Sequence, residues 1–327
     1  MSSFRTEIFP EKPAFQFNYK SNILLLGSCF AQNIGEKMHS LGFNILNNPF
    51  GVLYNPLSVF KVTDMLLSEK EYIKDNLSFH NKVWFSFDHH SSFSDISDKK
   101  CLDKINLALN RSRSKIPLLD IVIITFGTSW AYKLRSTDQI VANCHKVPAS
   151  EFERFFIESI KVEESIKGIV KRLRDRNKNI KFIFTVSPVR HWKDGAAGNM
   201  LSKSNLIVAI HNSIKKLENA FYFPSFEIMM DDLRDYRFYN EDMIHPSSLA
   251  VDYIWNKFKE SYVDKEIFDL MDRIEKLNLA SMHKPFNPLS DDYRLFIGNN
   301  IKKVIEIQKK YNLNLSELVR KFEMLIS

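Results

Sequence analysis

The sequence predicts an α/β fold in which a parallel sheet is flanked by helices, and two observations carry that expectation. Short apolar, β-rich runs alternate with longer helical patterns, as repeated strand–helix–strand units require. The first such unit is also legible in full. Asn22–Leu26 is a short apolar run that breaks at Gly27 and presents Ser28 and Cys29. Phe30, Ile34, Met38 and Leu41 then recur at helical spacing before Gly42, a natural stop. In open α/β sheets, ligands bind outside the carboxyl ends of the strands. A serine at that turn has a helix N-terminus beneath it, whose free N–H groups favour developing negative charge.

The remaining elements follow in order. Strands are expected at Phe43–Leu46, Asp120–Phe126, Ile180–Val186 and Ala220–Phe226, with helices near Ala31–Leu41, Ser150–Arg176 and Ser202–Glu218. A last sheet-flanking helix is expected from Pro246, since proline is tolerated in a first turn, with Leu249, Ile254 and Phe258 among its apolar positions. Residues 80–118 hold an aromatic stretch (Trp84, Phe85, Phe87), a Ser/Asp loop and a polar helix around Cys101–Arg111. Residues 127–150 read as a long connection leaving the carboxyl end of the sheet, placed to lie over a site. From Asp264 the pattern is purely helical, with a proline-containing break at Lys284–Leu289. The chain therefore divides into residues 1–263 and a helical appendage, 264–327.

Composition narrows the function classes. A hydrophobic content of 44%, with 27 Phe, supplies a real core. No apolar stretch approaches the roughly 18–20 residues of a membrane span, and the first ten residues lack the apolar core of a secretory signal. Three scattered cysteines (Cys29, Cys101, Cys144) form no disulfide framework and no Cys-x-x-Cys pair, which fits a reducing, cytoplasmic setting. The net charge of +7 sits largely on helical segments such as Lys171–Lys181, without the aromatic interleaving of a nucleic-acid surface.

Nine glycines stand where average usage gives about 23, so Gly27, Gly51 and Gly127, each beside a strand end, are informative placements for a turn or a close backbone approach. Downstream, Glu241-Asp242-Met243-Ile244-His245-Pro246 puts an Asp three residues before a His at a helix entry. Such a pair can orient an imidazole that deprotonates a serine hydroxyl. Cys29 is a rival nucleophile, since a thiolate at a helix N-terminus is activated. Arg190, His191 and Trp192 follow a strand closed by Pro188 and should reach the sheet's carboxyl edge. Arg190 there either binds an anionic substrate group or packs against Asp194 or a carbonyl. Asp88-His89-His90 has metal-ligand composition, but adjacent histidines point apart and no partner spacing supports them; no metal or cofactor is expected. His80, His211 and His283 read as structural or solvent-exposed.

Gly27-Ser28-Cys29-Phe30-Ala31 resembles the motif for which the GSCFA family is named, a family related to the SGNH/GDSL hydrolases. The similarity runs over most of residues 5–263 and includes Asn143-Cys144-His145-Lys146, Ser187–Trp192 and Asp242–His245. The resemblance implies a three-layer α/β/α fold, flavodoxin-like, with a parallel sheet of about five strands. It implies Ser28 as nucleophile, His245 as base and Asp242 as its orienting carboxylate. Gly51 matches the superfamily glycine that offers a backbone N–H to the oxyanion, alongside that of Ser28. Two features depart from the superfamily pattern: Gly27 directly precedes Ser28 without an intervening acid, and Gly127-Thr128-Ser129-Trp130 lacks the oxyanion asparagine of Gly-x-Asn. Losing one such donor costs about 100- to 1000-fold in rate. Asn143, then His145 and Ser129, are the candidate replacements, and Ser129, His145, Arg190 and His191 the candidate substrate contacts.

The expectation is thus a serine esterase or acyltransferase acting on an O-acyl ester of a sugar or other small molecule. A binding protein with the fold but little turnover, and an interaction module using the C-terminal helices, are the alternatives. A homo-oligomer is allowed.

Overall fold

A computed structural model describes residues 5–287 and 290–325. Along the chain, β1 (Asn22–Gly27) leads into α1 (Cys29–Ser40), then β2 (Asn44–Asn47) and α2 (Pro56–Leu67). A hairpin of β3 (Ser78–His80) and β4 (Val83–Phe85) precedes α3 (Asp98–Lys115) and β5 (Ile121–Phe126). Next come β6 (Trp130–Leu134), β7 (Ile140–Val141), β8 (Phe152–Phe156), α4 (Ser159–Arg174), β9 (Lys181–Val186) and α5 (Gly195–Ile214). The chain continues through β10 (Ala220–Phe223), the short α6 (Ser225–Glu227), α7 (Ser248–Tyr262), α8 (Phe268–Ser281), α9 (Asp291–Tyr311) and α10 (Ser316–Glu323).

Five strands form one sheet in the order β10-β9-β5-β1-β2, and every pairing is parallel. The order reverses direction between β1 and β5, so the topological switch point lies at the carboxyl end of β1, beside Ser28. Alternation along the strands divides the core in two. Ile23, Leu25, Ile121, Ile123 and Ile183 face α1, α7 and the C-terminal helices, whereas Leu24, Leu26, Val122, Ile124, Phe182 and Phe184 face α2–α5. Both faces are covered, which is why these strands read as continuous apolar runs. The architecture is three-layer α/β/α.

The C-terminal helices add a further layer over α1. Ile274, Ile297, Val304 and Phe322 are buried in the same cluster as Met38, Phe43 and Trp255, and the Asn278 amide donates to the Ser40 carbonyl at 2.8 Å. The expected break at Lys284–Leu289 is described only as far as residue 287; residues 288–289 lie outside the described residues.

Several sequence expectations need correction. The connection at 127–150 carries β6 and β7, and the expected helix Ser150–Arg176 begins instead with β8; these three make a small antiparallel sheet. Aromatic residues in Phe152–Phe156 favour strand over helix, and cross-strand pairing sets Trp130 against Phe156. The apolar run ending at Phe226 turns helical from Ser225, since Pro224 closes the strand and caps α6. In α7, Leu249 is exposed; Ala250, Ile254, Trp255 and Phe258 form the buried stripe. The helix starts at Ser248 because Ser247 caps it, its Oγ accepting from the Ala250 N–H. Helix α2 was not anticipated, although Asn55-Pro56 is a sound start signal: Asn55 Oδ1 accepts from the Ser58 N–H and proline occupies the first helical position.

Candidate active site at the carboxyl edge of the sheet

Ser28 sits where β1 hands over to α1, at the N-cap position, but its side chain makes no capping bond. It is 1% exposed and its Oγ has no hydrogen-bond partner. Leaving a buried hydroxyl unpaired costs on the order of 1–3 kcal/mol, so this side chain adds no hydrogen bond to the stability of the fold. The turn that presents it requires glycine: Gly27 has φ +132°, and a Cβ there would lie 2.0 Å from the Thr125 carbonyl oxygen. The Gly27 N–H is held by Asn48 Oδ1 at 2.8 Å, the Gly27 carbonyl by the Leu53 N–H at 2.8 Å, and the Tyr54 carbonyl accepts from the Gly127 and Thr128 N–H groups. Residues 48–55 are thereby stitched across the ends of β1 and β5.

A cleft of about 540 Å3 opens there, lined by Ser28, Cys29, Tyr54, Asn55, Asn143, His191 and His245 among others. His245 Nδ1 lies 2.6 Å from Asp242 Oδ2, while Asp242 Oδ1 accepts the backbone N–H groups of Ile244 and His245, each at 2.9 Å. This local clamp follows from the i, i+3 spacing and from Met243 at φ 55°. The two backbone bonds and the imidazole hold the Asp242 carboxyl down at about 2. Both side chains are roughly half exposed (45% and 46%). Since Ser28 Oγ is unpartnered, the imidazole is not hydrogen-bonded to it.

The sequence-predicted residues separate into two groups. Ser28, His245, Asn143, Arg190 and His191 line the cleft, and Asp242 backs His245 from the adjoining cavity. Gly51, Ser129 and His145 do not line it. Ser129 is wholly buried, its Oγ donating to the Ser202 carbonyl and accepting from the Asn205 amide. His145 stacks on Phe85 and bonds the carbonyls of Ser86 and His89 through Nε2. The two backbone donors expected of an oxyanion hole are both occupied: the Ser28 N–H by the Thr125 carbonyl (3.1 Å) and the Gly51 N–H by the Asn48 carbonyl (2.7 Å).

Other donors face the cleft. Asn143 Oδ1 accepts the His145 N–H at 2.9 Å, and its Nδ2 donates to no other described residue. Asn55, which the sequence analysis missed, repeats this arrangement: Oδ1 caps α2 and Nδ2 is uncommitted. Asn-Pro at a helix start signals the cap, and nothing in it signals the second use. Lys203 was also missed. It is fully buried on α5 and donates to the carbonyls of Gly127 (2.6 Å) and Ser187 (2.8 Å), tying together the exits of β5 and β9. Burial pushes its ammonium down to about 7, against the two carbonyls, which favour the charged form. A lysine in register with Leu206 and Ile210 on an apolar stripe was the available signal.

Burial also raises the Cys29 thiol, opposing the activation expected of its helix N-terminus. His191 is pushed down to about 3 by burial, then by Lys203 and His245, and is neutral at neutral pH. His89 is buried against Phe50 and Tyr72, while the His90 ring meets Ser92. No group of three or more metal-ligating side chains gathers among the described residues, and no helix among them is long and apolar enough to cross a membrane.

Comparison with known proteins identifies the lineage. The GSCFA family model matches residues 22–258, and that of the GSCFA domain protein C-terminal domain matches residues 274–327. The chain belongs to the GSCFA family. No curated protein matches it. Among solved structures, it is similar to a carbohydrate esterase family 3 protein from Talaromyces cellulolyticus (12% identity, 77% of this chain and 99% of that one, TM-score 0.33). It is also similar to an acetyl xylan esterase, Est2A, from the rumen bacterium Butyrivibrio proteoclasticus (11% identity, 80% of this chain and 66% of that one, TM-score 0.37).

Proposed function

We propose that this GSCFA-family chain is a serine-dependent hydrolase of O-acyl esters of small molecules, with Ser28 as nucleophile, His245 as general base and Asp242 as its orienting carboxylate. The observation that carries this reading is an unpartnered, buried Ser28 hydroxyl sharing a cleft with an imidazole whose Nδ1 is held by a carboxylate at 2.6 Å. With Nδ1–H directed at Asp242, Nε2 is the acceptor nitrogen. The reading requires the half-exposed His245 ring to turn toward Ser28 Oγ, which then attacks the acyl carbon as Nε2 takes its proton. The imidazolium returns that proton to the leaving alcohol, and water or an acceptor hydroxyl releases the acyl group. The oxyanion meets the Asn143 and Asn55 amides and the first-turn N–H groups of α1, which an α-helix leaves without internal acceptors.

Fluorophosphonate labelling with peptide mapping tests the reading. An adduct on Ser28 that is lost in His245→Ala supports it. No adduct on the folded wild type overturns it in favour of a small-molecule binding protein, the reading favoured by the occupied N–H groups of Ser28 and Gly51. An adduct on Cys29 overturns the assigned nucleophile.

A further inference from the structure

A second cavity of about 490 Å3 adjoins the cleft, and the two share Arg190, Trp192 and Ile244 in their walls. Its lining is largely apolar and polarisable, with Met229, Met230, Leu233 and Tyr239. Its charges are matched locally, with one exception. Arg234 pairs with Asp231 at 3.2 Å and Asp235 with Arg237 at 3.8 Å, while the Asp242 carboxyl is hydrogen-bonded by the His245 ring and by two backbone N–H groups. Arg190 has no carboxylate within ion-pair distance among the described residues. Its Nη2 meets only the Met230 thioether at 3.2 Å, its guanidinium lies 5.9 Å from the Tyr239 ring centre, and its Nε is buried without a partner. Asp194, its alternative partner from the sequence, is instead paired with Arg154.

A thioether is a weak acceptor, so a half-buried guanidinium left this way retains most of its capacity for an anion. Guanidinium matches a carboxylate or phosphate with a two-pronged hydrogen-bonded fork. The position is fixed, because the Arg190 N–H bonds the Ile244 carbonyl, one residue before the proposed base. Resting on the hydrolase reading above, we propose that this cavity binds an anionic group of the substrate, a carboxylate or phosphate held by Arg190, so that the preferred ester is negatively charged. The methionine and tyrosine walls take the apolar remainder of that portion, and the scissile carbonyl lies across Ile244 at Ser28.

Matched ester pairs test this. para-Acetoxybenzoate against its methyl ester puts the charge on the alcohol side, and mono-para-nitrophenyl succinate against its methyl ester puts it on the acyl side. para-Acetoxyphenyl phosphate separates phosphate from carboxylate. The wild type should favour the charged member of at least one pair by about tenfold in kcat/KM. Arg190→Met should bring that ratio to about one, Arg190→Lys should leave it intermediate, and Lys171→Gln, which removes a cation on α4 outside the cavity lining, should preserve it. Equal use of charged and neutral members by the wild type, or a preference that survives Arg190→Met, overturns the proposal. Failure of the hydrolase reading is distinguishable: Ser28 then takes no fluorophosphonate and no ester is turned over. In that case calorimetric binding of para-acetoxybenzoate that vanishes in Arg190→Met upholds the anion site, and absence of binding overturns it.

Discussion

The two halves of the candidate site are built in opposite ways. Ser28 is buried, sits at the carboxyl end of an interior strand of the sheet, and is fixed by a glycine that admits no side chain. His245 and Asp242 are half exposed on a short turn, organised by three hydrogen bonds within four residues. The first half is held by the fold and the second by its own sequence. Stability and activity should therefore separate differently on the two sides, and four measurements probe that separation.

The largest expected effect is common to both halves. Ser28→Ala and His245→Ala should each lower the acylation rate by at least about 1000-fold, read from labelling kinetics. Neither should lower the melting temperature appreciably, since Ser28 Oγ makes no hydrogen bond and His245 is half exposed. A large loss of stability in Ser28→Ala would show that its hydroxyl is structural after all.

Backbone substitutions should then split the halves. Gly27→Ala forces a Cβ to 2.0 Å from a backbone oxygen at positive φ, and should cost about 3 kcal/mol or more in urea unfolding. On the loop, Met243 is exposed and already at φ 55°. Met243→Gly should change stability by no more than about 1 kcal/mol, with relief of left-handed strain offsetting the added chain entropy. Equal costs at the two positions would break the comparison.

Acid should separate them too. Burial holds His89 and His191 at about 3 in the fold, below the ordinary imidazole value of 6.5. The unfolded chain binds these protons first, so stability is full above about pH 6.5 and falls as pH drops toward 3. Asp242, at about 2 against an ordinary 3.8, contributes above 3.8 and loses that contribution as pH falls through 2. Melting temperature against pH should flatten in the upper window for His191→Gln and only in the lower window for Asp242→Asn. Coincident windows would mean the loop is not independent of the core.

The last comparison concerns oxyanion donors. Asn143→Ala should slow acylation by about 100-fold with little change in melting temperature. Asn55→Ala should combine a comparable kinetic loss with about 1 kcal/mol of instability, because it also removes the cap of α2. A kinetic effect from Asn55 alone would leave Asn143 as a bystander.

The strand–turn–helix at Asn22–Leu41 was legible because both periodicities and the glycine break are local. So was the Asp242–His245 clamp, since three-residue spacing suffices to make it. The small sheet was not: β6, β7 and β8 exist by pairing with one another, and residues 127–150 carry no strand signal strong enough alone. Arg190 was legible as a candidate, but only the fold gave Asp194 to Arg154 and left the guanidinium facing a cavity.

By itself, then, the sequence determined the strand–helix alternation of the main sheet, the presented serine and the carboxylate–imidazole pair, because each is written in continuous apolar runs or in contacts a few residues apart. The tertiary structure alone decided which donors remain free. The N–H groups of Ser28 and Gly51 are consumed by neighbouring carbonyls, while Asn55, Asn143 and Arg190 keep donors uncommitted. Hydrogen-bond satisfaction is a property of the whole fold, since each acceptor is claimed by whichever segment packs against it.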